Sequence, residues 1–262
     1  MADRTTTEDA LKLLFGETDV LAADLSENEW GVQSLCPDWD VRACMTHMAG
    51  VEAVLVGWKP QSADESPLFQ KIGDFEAESA DLDAAKFIEV VRRTHQTRTG
   101  ELADTTDDEW AQPCVGPTGA TTYGRFMHIR VFDYWVHLRD ISIPLGRATD
   151  DGGPAAEIAL DQVHQSMGYI VGKKIGLPDG MGITFELTGG IDRRIHVAVD
   201  GRAAVVDQLD VADAVVVADA TTFIMLACGR IDPQQQIDSG AIAWSGNSEW
   251  GEKAARNLRF TM

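Results

Sequence analysis

Basic residues are scarce in this sequence: 22 Lys and Arg stand against 42 Asp and Glu, a formal net charge of −20. A surface of that sign repels nucleic-acid phosphates and anionic lipid headgroups, so neither is an expected partner. Cysteine is sparse as well. The 4 cysteines, Cys36, Cys44, Cys114 and Cys228, show no Cys-x-x-Cys spacing, which argues against a Cys-rich zinc module and a disulfide framework. No apolar run approaches the roughly 20 residues of a membrane span. The opening segment, MADRTTTEDALKLLFGETDV, lacks a basic stretch followed by an apolar one, so no signal peptide is expected and the cytoplasm is the expected location. Also missing are G-x-x-x-x-G-K-[ST], a G-x-G-x-x-G after a strand, G-x-S-x-G and H-E-x-x-H. Nucleotide-dependent and serine-hydrolase chemistry therefore have no support. No internal repeat or sustained heptad is present, and a monomer is the default expectation.

What is there suffices for two domains: 262 residues, 44% of them apolar. The pattern is helical before about residue 150 and mixes β-branched runs with helices after it. Residues 7–25 read as an amphipathic helix with Leu11, Leu14, Val20 and Leu21 among its apolar positions. Asp40 is a plausible N-cap for a helix over 41–57, after a loop containing Cys36-Pro37-Asp38-Trp39. A third helix is predicted over about 81–100, with Phe87, Val90, Val91 and Thr94 inward. Residues 111–120 read as a Gly/Pro loop, and Thr121 or Thr122 caps a fourth helix to about 141. This predicts a four-helix bundle over 1–150. The ATDDGG segment at 148–153 marks a linker to a small α+β domain over 151–262. There Pro154 starts a helix running to about 175. Strands are predicted at 182–188, 193–199, 213–217 and 240–245, and helices at 221–229 and 248–258.

The fourth helix holds the most informative spacing. At about 100° per residue, Arg130, Asp133, His137 and Asp140 fall within a sector of roughly 80°, while His128 lies almost opposite His137. Asp133 and His137, four residues apart, are either a solvated helix pair or two ligands aimed at one point. On the second helix His47 shares a face with Ala43, Val51 and Val54, and is either a core histidine or a ligand. Joined with Asp133 and His137 it completes two imidazoles and a carboxylate, the donor set of an open zinc site and equally of a non-haem iron triad. His95, on a face with Ile88 and Val91, is a rival. His164 and His196 read as ordinary, and the cysteines as free buried thiols.

CPDWDVRACMTHMAGVE (36–52) and RVFDYWVHLRDI (130–141) resemble the two metal segments of the mycothiol-dependent maleylpyruvate isomerase family. VDGRAAVV (199–206), LACGRID (226–232) and SGNSEWGEKAARNL (245–258) resemble the C-terminal domain often attached to it. The resemblance implies a DinB-like four-helix bundle holding a divalent metal, usually zinc, through His47, Asp133 and His137. It also implies an α/β C-terminal domain, similar to sterol-carrier-protein-like folds, that closes over the metal. A C-terminal arginine is thought to assist catalysis in the isomerase; Arg230 is the candidate here and Arg202 the alternative. The expected activity is a metal- and mycothiol-dependent reaction on a small electrophile, either cis–trans isomerisation of a maleylpyruvate-like substrate or S-transfer. Asp133 stands where the isomerase has Glu, and the FDYWVHLRDI form is closer to actinobacterial members of the family than to the isomerase. Arg130 or Arg230 would neutralise a substrate carboxylate, and Asp140 would orient His137 or Arg130. Two other classes remain open. One is a non-catalytic metal- or ligand-binding protein. The other is a metal-dependent hydrolase with Asp140 or Glu52 as base.

Overall fold

A computed structural model of the chain describes residues 3–67 and 69–261. The chain divides into two compact units, Met1–Thr149 and Asp150–Met262. The first is helical, with α1 (Arg4–Asp24), α2 (Val41–Leu55), α3 (Ile72–Ala80), α4 (Ala84–Ala103), α5 (Asp107–Trp110) and α6 (Tyr123–Ser142). Helix starts are set by side chains that satisfy otherwise unpaired N–H groups. Asp3, Asp40, Asp83 and Thr122 accept from the backbone N–H of Thr6, Ala43, Lys86 and Arg125 respectively. α1 packs on α4 and α6, and α2 packs on α3, α4 and α6.

Each long helix buries a stripe at helical spacing. On α1 it runs through Leu11, Leu14, Phe15, Thr18, Leu21 and Ala22, whereas Val20, expected on that face, is 70% exposed. On α4 the stripe is Phe87, Val91, His95, Arg98 and Leu102. Val90 and Thr94 sit half-buried on its flank, because two residues that close in sequence cannot both centre on one face. α6 is buried on nearly every side, including His128, Arg130, His137, Arg139 and Asp140. A helix so rich in charge is stable there only because its charges meet partners.

Two sequence expectations are corrected here. The single helix expected over 81–100 starts at Ala84, and a separate helix, α3, precedes it. The Gly/Pro loop expected at 111–120 is an antiparallel hairpin of β1 (Pro113–Gly116) and β2 (Gly119–Thr122). Its strands are only four residues long, too short to show alternation. The hairpin leads straight into α6. There Gly124 lets the Trp110 ring lie against the backbone: a Cβ would collide with the indole nitrogen.

The second unit begins with α7 (Gly153–Tyr169), extended by a π-helical turn over Ile170–Ile175 that stops at Gly176, φ 71°. A five-stranded sheet follows, built from β3 (Gly182–Thr188), β4 (Arg193–Asp200), β5 (Arg202–Val206), β6 (Ala214–Asp219) and β7 (Ile242–Gly246). The strand order is β5-β4-β3-β6-β7; only β3 and β6 pair in parallel. Alternate residues such as Ile183, Phe185, Leu187, Ile195, Val197 and Val216 are buried. α7 packs on β4 and β5, α8 (Ala220–Ala227) on β3 and β6, and α10 (Ser248–Arg256) on β6 and β7. β5 and the short α9 (Pro233–Ser239) were not anticipated as elements. Among the described residues no helix is long and apolar enough to cross a membrane.

Candidate metal centre

Three side chains that the sequence singled out meet in the first unit. His47 from α2 and Asp133 and His137 from α6 bring one ligand atom each to within 4.8 Å of one another. His47 Nε2 lies 3.9 Å from Asp133 Oδ2, and His137 Nε2 lies 3.6 Å from Asp133 Oδ1. The two imidazoles stand edge to face, 5.2 Å between centroids. Donors held at about 2.0–2.1 Å in a tetrahedral site lie roughly 3.3 Å apart. The two separations from Asp133 exceed that spacing by about 0.6 and 0.3 Å and no ligand pair exceeds 4.8 Å, so with side-chain adjustment the residues present fit a divalent ion. His47 is on the flank of α2 rather than in its buried stripe, which leaves its side chain partly exposed.

The turn before α2 frames this group. Trp39 N–H donates to Cys36 C=O with Pro37 at the second position, the geometry of a Pro-initiated β-turn. Gln33 Nε2 donates to the carbonyls of Cys36 and Trp39, and Leu35 N–H donates to the Asp140 carbonyl on α6. The Trp39 ring is thereby set 4.7 Å from the His47 ring and 5.7 Å from the His137 ring.

Each member has a partner behind it. His137 Nδ1 is 2.8 Å from the fully buried Asp140 Oδ2, a contact that assigns the Nδ1 proton and leaves Nε2 toward Asp133. Burial opposes an imidazolium at His137, but Cys44, Asp133 and Asp140 outweigh it and raise its pKa. Burial pushes the Asp133 carboxyl up, and Arg130 and His137 more than reverse that, holding it far below the usual carboxylate range. Arg130 Nη1 donates to Asp133 Oδ2 at 2.7 Å and Arg130 Nε donates to Glu52 Oε1 at 2.8 Å. Glu52 Oε2 accepts from Arg98 Nε at 3.0 Å. Glu52, Arg98 and Arg130 are 0%, 1% and 3% exposed. This chain of alternating charges was not read from the sequence, although Arg98 stands on the apolar stripe of α4, where an unpaired charge is not tolerated. Two expectations change with it. Arg130 is engaged on both sides and does not present itself to a substrate, and Glu52, locked between two guanidinium groups, is not placed to act as a base.

Cys36 and Cys44 are buried and free, as expected, but they adjoin His137 Nδ1 at 3.7 and 3.5 Å. Cys36 Sγ donates to Asp140 Oδ2 at 3.1 Å. The hydrogen bond from Cys44 lowers the Cys36 thiol to about 6 against the opposing effect of burial, and that same bond, with burial, raises Cys44. His95, the rival ligand, is a satisfied core residue: it meets Asp19 Oδ1 at 2.7 Å and Tyr134 Oη at 2.9 Å and stacks on Phe15. His128 is buried outside the group, and His196 bonds Thr184 in the sheet. Burial lowers the pKa of His164, which lies on α7. Arg230 lies half-buried after α8, its Nη1 3.3 Å from the Cys228 carbonyl, and Arg202 is exposed at the start of β5.

Residues 11–142 match the family model of the mycothiol maleylpyruvate isomerase N-terminal domain, and residues 157–252 match that of the MDMPI C-terminal domain. Among solved structures, the chain is similar to the mycothiol-dependent maleylpyruvate isomerase at 15% identity and a TM-score of 0.64, over 93% of each chain. It is also similar to a histidine-to-alanine mutant of that enzyme at 16% identity and a TM-score of 0.62, again over 93% of each chain. No curated protein matches the chain.

Proposed function

The chain belongs to the mycothiol maleylpyruvate isomerase family, and on that premise we propose that it is a divalent-metal enzyme using a low-molecular-weight thiol, mycothiol, on a small electrophile. The observation that carries the reading is the convergence of His47, Asp133 and His137, with Asp140 behind His137. Zinc is the favoured ion, since two imidazoles and a carboxylate leave a position open for an exchangeable ligand. An ion held there would stabilise the thiolate form of a bound thiol at neutral pH.

The protein's own groups have defined tasks. Asp140 holds the His137 proton on Nδ1, so it is the Nε2 proton that an ion would displace and Nε2 that would become the donor atom. Arg130 fixes the Asp133 carboxylate by one oxygen and keeps it ionised. Glu52 and Arg98 hold Arg130 in turn. Trp39 covers one side of His47 and limits water there. In the isomerisation the sulfur adds to one carbon of a cis double bond, the resulting single bond rotates, and elimination returns the trans product and the intact thiol. In S-transfer a leaving group departs instead, with the electron pair of the broken bond. Arg230, named by the family resemblance, is proposed to contact the substrate carboxylate. The supply of reduced thiol favours the cytoplasm. The hydrolase alternative is weakened because Glu52 is bound by two arginines and Asp140 by His137 and Cys36.

The test is metal content beside thiol-dependent turnover. Purified protein is expected to carry about one ion per chain and to turn over a cis-enoyl diacid only when thiol is added, an activity lost in folded His47→Ala and Asp133→Ala. Failure to take up any of several divalent ions, with both variants indistinguishable from the parent, would sink the reading. Metal binding without thiol-dependent turnover would favour a binding protein.

A further inference from the structure

Behind His137, on the side away from His47, lies a second set of ligand-type atoms that the proposed reaction does not use. Cys36 comes from the turn before α2, Cys44 from the first turn of α2, and His137 and Asp140 from α6. One atom of each lies within 4.8 Å of the others, and all four residues are buried. Two thiolates with two nitrogen or oxygen donors around one zinc-sized ion, at about 2.3 and 2.0 Å, are separated by roughly 3.3–3.8 Å. The sulfur-to-Nδ1 distances, 3.7 and 3.5 Å, already have those values. The contacts of Asp140 Oδ2, 3.1 Å to Cys36 and 2.8 Å to His137, are hydrogen-bond lengths that would open by about half an ångström. Thiols packed for shape alone sit in apolar surroundings; these two surround an imidazole and a carboxylate.

We propose that Cys36, Cys44, His137 Nδ1 and Asp140 form a closed second site for a thiophilic divalent cation, and that filling it empties the site of His47 and Asp133. The two sulfurs select the cation class: zinc or cadmium, and not magnesium or manganese. On uptake both sulfurs bind as thiolates and His137 as the neutral ring; whatever S–H and extra ring protons these groups carry pass to solvent, and the sulfur lone pairs bind the ion. A neutral imidazole has one lone pair and one N–H. An ion on Nδ1 therefore moves the ring proton to Nε2, where it points at Asp133 and can only donate. His137 serves one site or the other. The exclusion rests on the reading under Proposed function; the thiolate site itself does not.

The experiment titrates reduced, metal-free protein with Cd²⁺ and then with Zn²⁺, following sulfur-to-metal charge-transfer absorption and bound ions per chain. One equivalent of Cd²⁺ is expected to produce the band. Cys36→Ser and Cys44→Ser are each expected to lose it, while His47→Ala keeps it. With cadmium bound, zinc is expected to add nothing, so the total stays at one ion per chain. The Cys36→Ser/Cys44→Ser double variant should still take up one zinc through His47. Absence of the band at excess Cd²⁺, or its survival in both single cysteine variants, overturns the site. Two ions per chain with the band present overturns the exclusion. If the double variant binds no zinc while the parent shows the band, the His47 site is at fault and the thiolate site stands. Should Cys44→Ser fail to fold, Cys36→Ser, on the turn, decides alone.

Discussion

Replacing Glu52 by Gln removes one negative charge from between two buried guanidinium groups while keeping the shape of the side chain. Glu52 meets Arg98 Nε at 3.0 Å and Arg130 Nε at 2.8 Å with no exposure to solvent. At an effective dielectric constant of about 20, unit charges 4 Å apart interact by about 4 kcal/mol. Breaking a buried pair from one side costs about 3–5 kcal/mol, since the remaining charge is left without compensation. Gln still accepts one hydrogen bond, so the lower end, about 3 kcal/mol, is expected. For a helical unit spanning Met1–Thr149 that loss lowers Tm by about 10 °C. The matching urea midpoint falls by about 1.5 M at an m-value near 2 kcal/mol/M. The control is Glu101→Gln. Glu101 bonds the same Arg98 at 2.8 Å from a partly exposed position, and its loss should cost no more than about 1 kcal/mol. The pH dependence has a definite sign. Burial pushes the Glu52 carboxyl up, but Arg130 and Arg98 outweigh it and lower its pKa. Its contribution is therefore complete above the ordinary Glu value of about 4.3 and fades as pH falls through the lowered folded value. The gap between parent and variant should stay constant from neutral pH to about 5 and narrow only in stronger acid. Thermal and urea unfolding of the metal-free protein, followed by circular dichroism, measure all of this. A Glu52→Gln variant no less stable than Glu101→Gln would refute the charge chain as a determinant of the fold.

Three further outcomes are expected. Asp140→Asn removes the charge that fixes the His137 tautomer, and zinc affinity measured by chelator competition should fall about 10–100-fold with the helical content unchanged. Gly124→Ala should lower stability by about 1–3 kcal/mol in denaturant titrations, because the new methyl group collides with the Trp110 ring. Glu29, which accepts from Ser26 Oγ and backbone N–H and then from Arg147, should titrate at about 2 by NMR. Arg147→Ala should move that value up toward the ordinary carboxylate range, and an unchanged value would show that the Ser26 bonds act alone.

Much of this protein was legible in the chain itself. Helix starts were readable because capping is local: Asp40 and Thr122 bond N–H groups three residues away. The strands at 182–188 and 193–200 were readable because alternation of Ile, Phe, Leu and Val shows which residues face inward. The common face of Asp133, His137 and Asp140 follows from helical periodicity alone, as does the exclusion of His128. What periodicity cannot supply is the partner across helices. That Asp140 turns to His137 rather than to Arg130, and that Cys36 and Cys44 flank the same imidazole, depends on how α2 and its preceding turn pack on α6. Glu52 and Arg98 stand on two different helices, and only the packing of α2 on α4 and α6 joins them with Arg130 in one buried network. Position along a helix fixes the direction of a side chain; the charge it meets, and so its protonation and its task, is decided by residues up to about a hundred positions away.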